Sequence, residues 1–222
     1  MEKIAAIVPM RHHSQRVPGK NFRELAGKPL FHHILDTLLS VPELDGIFID
    51  TDSSPVVQGV QENFPAVQII HRPQELCADD TPMNQIIMHD VSVIQAQYYL
   101  QTHSTNPLLK SGTISRAIQS FIENIDQFDS LFSVTRLQTR LYDQDGKAIN
   151  HNPKELLQTQ DLPPIYEENS CIYLFSEDSL TVNGHRIGKR PCLFEITPDE
   201  AWDIDTPLDF EIVNYLMGHL GE

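Results

Sequence analysis

Cysteine is scarce in this chain: Cys77, Cys171 and Cys192 are odd in number and widely spaced over 222 residues, which argues against a disulfide framework or a zinc knuckle. Positive charge is scarce too. Sixteen Lys and Arg stand against 31 Asp and Glu, and the resulting net charge of -15 disfavours duplex nucleic acid or an anionic membrane surface as the main partner. No apolar run approaches the ~18 residues of a membrane span, and the first apolar stretch meets Arg11 rather than a cleavage-type sequence, so a soluble, cytoplasmic protein is expected. Internal repeats and low-complexity linkers are lacking as well, which leaves one domain over 1–222. The 40% hydrophobic content is enough to supply its core.

What is present alternates between strand-like and helix-like patterns, the mark of an α/β fold with a largely parallel sheet flanked by helices. Ile4 to Val8 and Gly46 to Asp50 read as buried strands, as do Tyr98 to Gln101 and Ser130 to Thr135. Leu30, Ile34, Leu35, Leu38 and Leu39 have helical spacing. Thr81-Pro82 reads as an N-cap with proline at the first helical position, opening a helix through Ile86, Ile87, Val91 and Ile94. Further helices are expected over Thr113 to Ile125 and Pro207 to Met217. The stretch from about 136 to 164, rich in Gln, Asn and Asp, offers little core material and reads as a long loop, which in a compact domain is usually functional or disordered.

Two places carry chemistry. Arg11, Arg16 and Lys20 fall within ten residues in the loop after the first strand, where an α/β sheet opens on its ligand-binding edge. In an acidic chain such a cluster suits a polyphosphate, the alternative being ordinary solvated loop charges. Near the other end, Asp203 and Asp205 alternate with Ile204 as in a strand, which turns both carboxylates to one side. Two hard oxygen donors on one face are a plausible seat for Mg²⁺, although Asp205 also suits a cap for the next helix.

The run from Arg11 to Asn21, with Ser14, Arg16, Pro18, Gly19 and Lys20, resembles the signature loop of the acylneuraminate cytidylyltransferases, the CMP-sialic acid synthetases, which are related to the CMP-Kdo synthetases. Gly27-Lys28-Pro29-Leu30, Asp50-Thr51-Asp52, Arg72-Pro73-Gln74-Glu75-Leu76, Asn106-Pro107-Leu108, Leu162 to Asn169 and Asp203-Ile204-Asp205-Thr206 are similar to further family blocks, in family order. The resemblance implies a Rossmann-like fold of the nucleotide-diphospho-sugar transferase type with a dimerisation arm at about 136–164, and hence a homodimer. It implies transfer of CMP from CTP to the anomeric hydroxyl of a 2-keto-3-deoxy sugar acid, with release of pyrophosphate. A catalytically silent homologue that only binds the nucleotide or the CMP-sugar is the other reading.

By position in the family motifs, Arg11, Lys20 and Asp205 would be catalytic, and Arg11, Ser14, Arg16, Lys20, Asn21, Arg72 and Thr81 would hold the nucleotide. Asp203 and Asp205 would carry Mg²⁺. Gln101, His103, Tyr166 and Asn169 would meet the sugar acid; a structural role is the alternative for His103, Tyr166 and Asn169, and a surface salt bridge with Glu75 the alternative for Arg72. The chain departs from the family at His12 and His13, where small residues are common, at Glu167, where some relatives have an arginine for the sugar carboxylate, and at Ser170-Cys171, where Gly-Ala is usual. Neither His12-His13 nor His32-His33 suggests a metal site, because adjacent side chains diverge.

Overall fold

The structure is a computed structural model that describes residues 3–219. The chain begins with β1 (Ile4–Met10), a short hairpin of β2 (Glu24–Leu25) and β3 (Lys28–Pro29), then α1 (Leu30–Leu39), β4 (Gly46–Thr51), α2 (Ser54–Asn63) and β5 (Gln68–His71). It continues through α3 (Met83–Val93), β6 (Tyr98–Gln101), α4 (Ser111–Glu123), β7 (Ser130–Leu137), β8 (Ile165–Ser176), α5 (Glu177–Asn183), β9 (Pro191–Glu195) and α6 (Pro207–His219). Seven strands form one sheet in the order β5-β4-β1-β6-β8-β7-β9. Every pairing within it is parallel except the two made by β8.

Alternation along β1 explains the layers. Ile4, Ala6, Val8 and Met10 pack on one face with Phe31, Ile34, Ile114, Ile118 and Phe121 of α1 and α4, while Ala5 and Ile7 pack on the other with Ile87, Val91 and Leu180 of α3 and α5. A third cluster stands apart, where Val17, Leu25 and Leu30 meet Ile204, Phe210 and Val213. It fastens α6 and the segment before it to the loop after β1, which brings Asp205 to a loop almost the whole chain away. Ile204 is fully buried there.

Three local expectations are corrected. Residues 201–205 are not a strand, yet Asp203 and Asp205 share a side because Ile204 between them is drawn into the core and its N–H donates to the Thr105 carbonyl at 2.9 Å. Pro82, in extended conformation, holds the N-cap position of α3, so the helix starts at Met83 and Thr81 sits in the preceding turn. Asp205 does not cap α6, because Thr206 and Asp209 form a reciprocal cap. The Thr206 N–H and Oγ1 donate to Asp209 Oδ2 at 2.7 and 2.8 Å, and the Asp209 N–H donates back to Thr206 Oγ1. The Asp205 side chain is left for other work.

The 136–164 stretch begins and ends as sheet. β7 runs on to Leu137 and pairs there with Ile165, so the segment between them is carried on a two-stranded ribbon. Within it, Gln138 and Asn150 tie the chain back on itself by donating to the carbonyls of Leu162 and Thr139 at 2.6 and 2.7 Å. Tyr142, Ile149 and Leu156 remain exposed, Leu156 to 91%.

Candidate active site

The parallel strands end on one edge, and the order β4-β1-β6 places a topological switch point beside β1. A cleft of about 570 Å³ opens there. The loop after β1 supplies Arg11, Ser14, Arg16, Lys20 and Asn21, the turn before α3 supplies Asp79 and Thr81, and the loop after β6 supplies His103, Ser104 and Thr105. Arg72, Ser170, Arg186, Asp203 and Asp205 complete the lining.

Gly19 shapes the first wall. Its φ of +67° is left-handed, and a Cβ would meet the Phe22 ring at 2.9 Å, so glycine alone suits the turn that delivers Lys20. Lys20 is only 14% exposed; its Nζ donates to the Ile204 carbonyl at 2.6 Å and lies 3.6 Å from Asp205. Arg16 donates to the same Asp205 carboxylate at 2.8 Å, and Arg11 pairs with Asp79 at 3.2 Å. Burial lowers the Lys20 pKa against the pull of Asp203 and Asp205, and burial raises that of Asp203, with the Asp205 charge adding to the rise. Asp203 Oδ1 is buried without a hydrogen-bond partner. An orphaned carboxylate oxygen beside a second carboxylate fits a hard cation such as Mg²⁺.

His12 turns away from the cleft. Its N–H donates to Asp52 at 2.6 Å, its Nδ1 meets Ser53 Oγ at 2.9 Å, and its ring stacks on Phe22. His13 alone of that pair lines the cleft. Asn21 acts as a strut, donating to the Arg11 carbonyl at 3.0 Å and accepting from Ser104 Oγ at 2.7 Å.

Arg72 does not pair with Glu75. It is 4% exposed, and its guanidinium is held by Asp50, which is fully buried at the end of β4. Asp90 of α3 lies against Asp50, and Asp50 Oδ2 and Asp90 Oδ2 are both buried without a donor. One shared proton satisfies both. Burial, then the Asp50 charge, pushes the Asp90 carboxyl up to about 9. Asp50, Asp90 and His89 bring ligand-type atoms within 4.8 Å of one another, but the Arg72 guanidinium already supplies the positive charge there. Because folding takes up a proton at Asp90, this group makes stability fall as pH rises from the ordinary carboxylate range toward about 9, while below pH ~6.5 the lowered pKa of buried His103 acts in the opposite sense. Asp90→Asn keeps a donor for Asp50 and removes the proton uptake; in urea unfolding at pH 5, 6.5 and 8 its stability relative to the parent's should rise with pH.

The far wall is built on the irregularity in β8. Phe132 pairs with Tyr173 and Val134 with Glu168, so residues 169–172 bulge opposite Ser133. Ser170 takes φ +60° at this bulge, which explains why glycine suits the position. Ser170→Gly should raise stability by about 1 kcal/mol through relief of that strain, less the loss of the Ser170 Oγ contact with the Tyr173 hydroxyl at 3.1 Å, as read by chemical denaturation. Asn169 closes the bulge, accepting from Ser133 Oγ at 2.6 Å and donating to Thr135 Oγ1 at 3.0 Å. Neither Asn169 nor the exposed Tyr166 is among the cleft-lining residues. Gln101 is fully buried just behind the lining, between His103 and Arg186. Since Gln101 Oε1 accepts from Arg186, its amide N–H faces His103 Nε2 at 2.8 Å, which puts the imidazole proton on Nδ1. Burial and the Arg186 charge bring the His103 pKa down to about 3, so the ring is neutral at physiological pH.

A family model described as "Cytidylyltransferase" matches residues 5–216. The chain belongs to the cytidylyltransferase family. Among curated relatives of this cytidylyltransferase, post-translational flagellin modification protein B of Campylobacter coli is 26% identical, over 98% of this chain and 96% of that protein. An N-acylneuraminate cytidylyltransferase of Streptococcus agalactiae is also 26% identical over 98% of this chain, which spans 53% of that longer protein. A CMP-2-keto-3-deoxy-manno-octonic acid synthetase solved with CTP shares the fold, with a TM-score of 0.73, 17% identity and coverage of 98% and 99% of the two chains. Among the described residues no helix is long and apolar enough to cross a membrane. Sequence reasoning missed Asp79 and Arg186. Asp79 is one acidic residue among many, and the partners of Arg186, Gln101 and Tyr173, stand 85 and 13 residues away, so no local spacing marks either one.

Proposed function

We propose that this chain transfers CMP from CTP to the anomeric hydroxyl of a 2-keto-3-deoxy sugar acid, releasing pyrophosphate. The observation that carries the reading is one cleft at the switch point in which Arg16 and Lys20 face Asp205 and Asp203 across the full length of the chain. A cationic wall opposite a carboxylate pair is what a metal-bound triphosphate needs.

Lys20 and Arg11 neutralise the phosphates and the charge that develops on the leaving pyrophosphate, with Arg16 and Ser14 on the same wall. The Asp205 contacts of Arg16 and Lys20 keep both cations aimed into the cleft. Asp203 and Asp205 would hold Mg²⁺, which supplies charge neutralisation on phosphate oxygens and a lower pKa for the attacking hydroxyl. Arg72, Asn21 and Thr81 line the part of the cleft proposed for cytidine, with Arg72 held rigid by Asp50. His103, neutral and with Nδ1–H free of Gln101, orients the acceptor as a hydrogen-bond donor rather than shuttling protons. Gln101 fixes that ring, and Asn169 supports the bulge that presents Ser170, while Tyr166 belongs to the ribbon at the rim.

The ribbon and its exposed Tyr142, Ile149 and Leu156 suit an arm that packs on a second copy, which gives a homodimer of single-domain, cytoplasmic subunits. The test of the activity is pyrophosphate release with Mg²⁺, each of the four common nucleoside triphosphates, and a panel of sialic, legionaminic and pseudaminic acids and Kdo. Release with CTP and one acid, lost in Asp205→Asn, supports the reading. CTP binding without turnover of any acid returns the silent-homologue reading.

A further inference from the structure

Arg186 is a cation without an anion. It reaches the cleft from the loop between α5 and β9, and among the described residues no carboxylate pairs with it. Its partners are neutral: Nη1 donates to Gln101 Oε1 at 2.8 Å, and the guanidinium carbon lies 3.8 Å over the Tyr173 ring. Its Nε is buried without an acceptor. In a chain with 31 acidic residues against 16 basic ones, a half-buried guanidinium that faces a cleft and meets no carboxylate is held ready for an anion from outside. The ring stack and the amide also fix the orientation of its plane, which suits two-point recognition of a planar carboxylate.

Position separates this cation from the phosphate wall. Arg16 and Lys20 are engaged by Asp205, Arg11 by Asp79, and Arg72 by Asp50, each on the side of β1, β4 and β5. Arg186 lies on the side of β6 and β8, anchored at Gln101 and Tyr173 and through its N–H to Asn84 of α3. His103 stands between the two groups: Gln101 joins its ring to Arg186, and the neighbouring Ser104 donates to Asn21 of the loop that carries Lys20. An acceptor lying on His103 therefore has one end toward the triphosphate and the other toward Arg186. We propose that Arg186, through its fixed guanidinium plane, binds the carboxylate of the acceptor sugar acid and thereby sets the specificity for an acid over a neutral sugar. The proposal rests on the activity proposed above.

The experiment compares the parent with Arg186→Gln and Arg186→Lys, using CTP and whichever acid of the panel the parent turns over, alongside the methyl ester of that acid. In the parent, kcat/KM should favour the acid over its ester by about 100-fold. In Arg186→Gln that preference should collapse to within a few-fold, through loss on the acid and not gain on the ester, with KM for CTP within about two-fold of the parent's. Arg186→Lys, which keeps the charge and loses the fork, should fall between them. Unchanged acid preference in Arg186→Gln, or a rise in KM for CTP as large as that for the acid, overturns the assignment while the activity stands. If the parent turns over no acid with CTP, the activity and this assignment fall together. Fluorescence-monitored CTP binding by both variants controls for folding.

Discussion

Lys20→Ala lowers the rate of pyrophosphate release at saturating substrates by about 10³-fold, some 4 kcal/mol of transition-state stabilisation. The size follows from the site. Lys20 is largely buried, so water screens its charge little, and Gly19 and the Ile204 carbonyl fix its Nζ where charge develops on the leaving group. The loss should fall on kcat more than on KM for CTP, because Arg11 and Arg16 remain to hold the ground-state phosphates. The variant should fold, since Asp205 keeps Arg16 as a partner. A loss confined to KM would mean that Lys20 only binds nucleotide.

Asp50→Ala costs 3–5 kcal/mol of stability, about what is measured when a buried ion pair loses one member. Arg72, at 4% exposure, would be left without the carboxylate that neutralises it, and the fully buried Asp90 would keep only the contact of its Oδ1 with His89 Nδ1 at 3.2 Å. For a chain of this size that corresponds to a drop in Tm of roughly 10 °C. Asp50→Asn keeps the shape and one acceptor, so it separates lost charge from lost packing. Urea unfolding at pH 7 checks both variants, and a cost below 1 kcal/mol for Asp50→Ala would mean that Asp90 ionises and takes over Arg72.

The helix and strand cores were legible because period-two and helical spacings are local properties of the chain. β1, β4, β6 and α1 fall where Ile4, Gly46, Tyr98 and Leu30 announce them. Element ends were less legible, as Pro82 and Thr206 illustrate: each cap depends on backbone angles and on a partner's reach. The phosphate loop and the carboxylate pair could be read from residue type. Their meeting could not, since it rests on a cluster joining Val17 and Leu25 to Ile204 and Phe210. β8 running against its neighbours, its bulge at Ser170 and the Arg72–Asp50–Asp90 network all arise from contacts far apart in sequence. Arg186 was invisible for the same reason.

CTP labelled with ³²P at the α-phosphorus, incubated with Mg²⁺, the protein and the accepted keto-sugar acid, tests the central claim most directly. Attack by the anomeric hydroxyl at that phosphorus puts all released label into a CMP-sugar, stable to phosphatase, and none into pyrophosphate. Label recovered only in unreacted CTP, or as free CMP with no sugar attached, would contradict transfer to a sugar acid by this cleft.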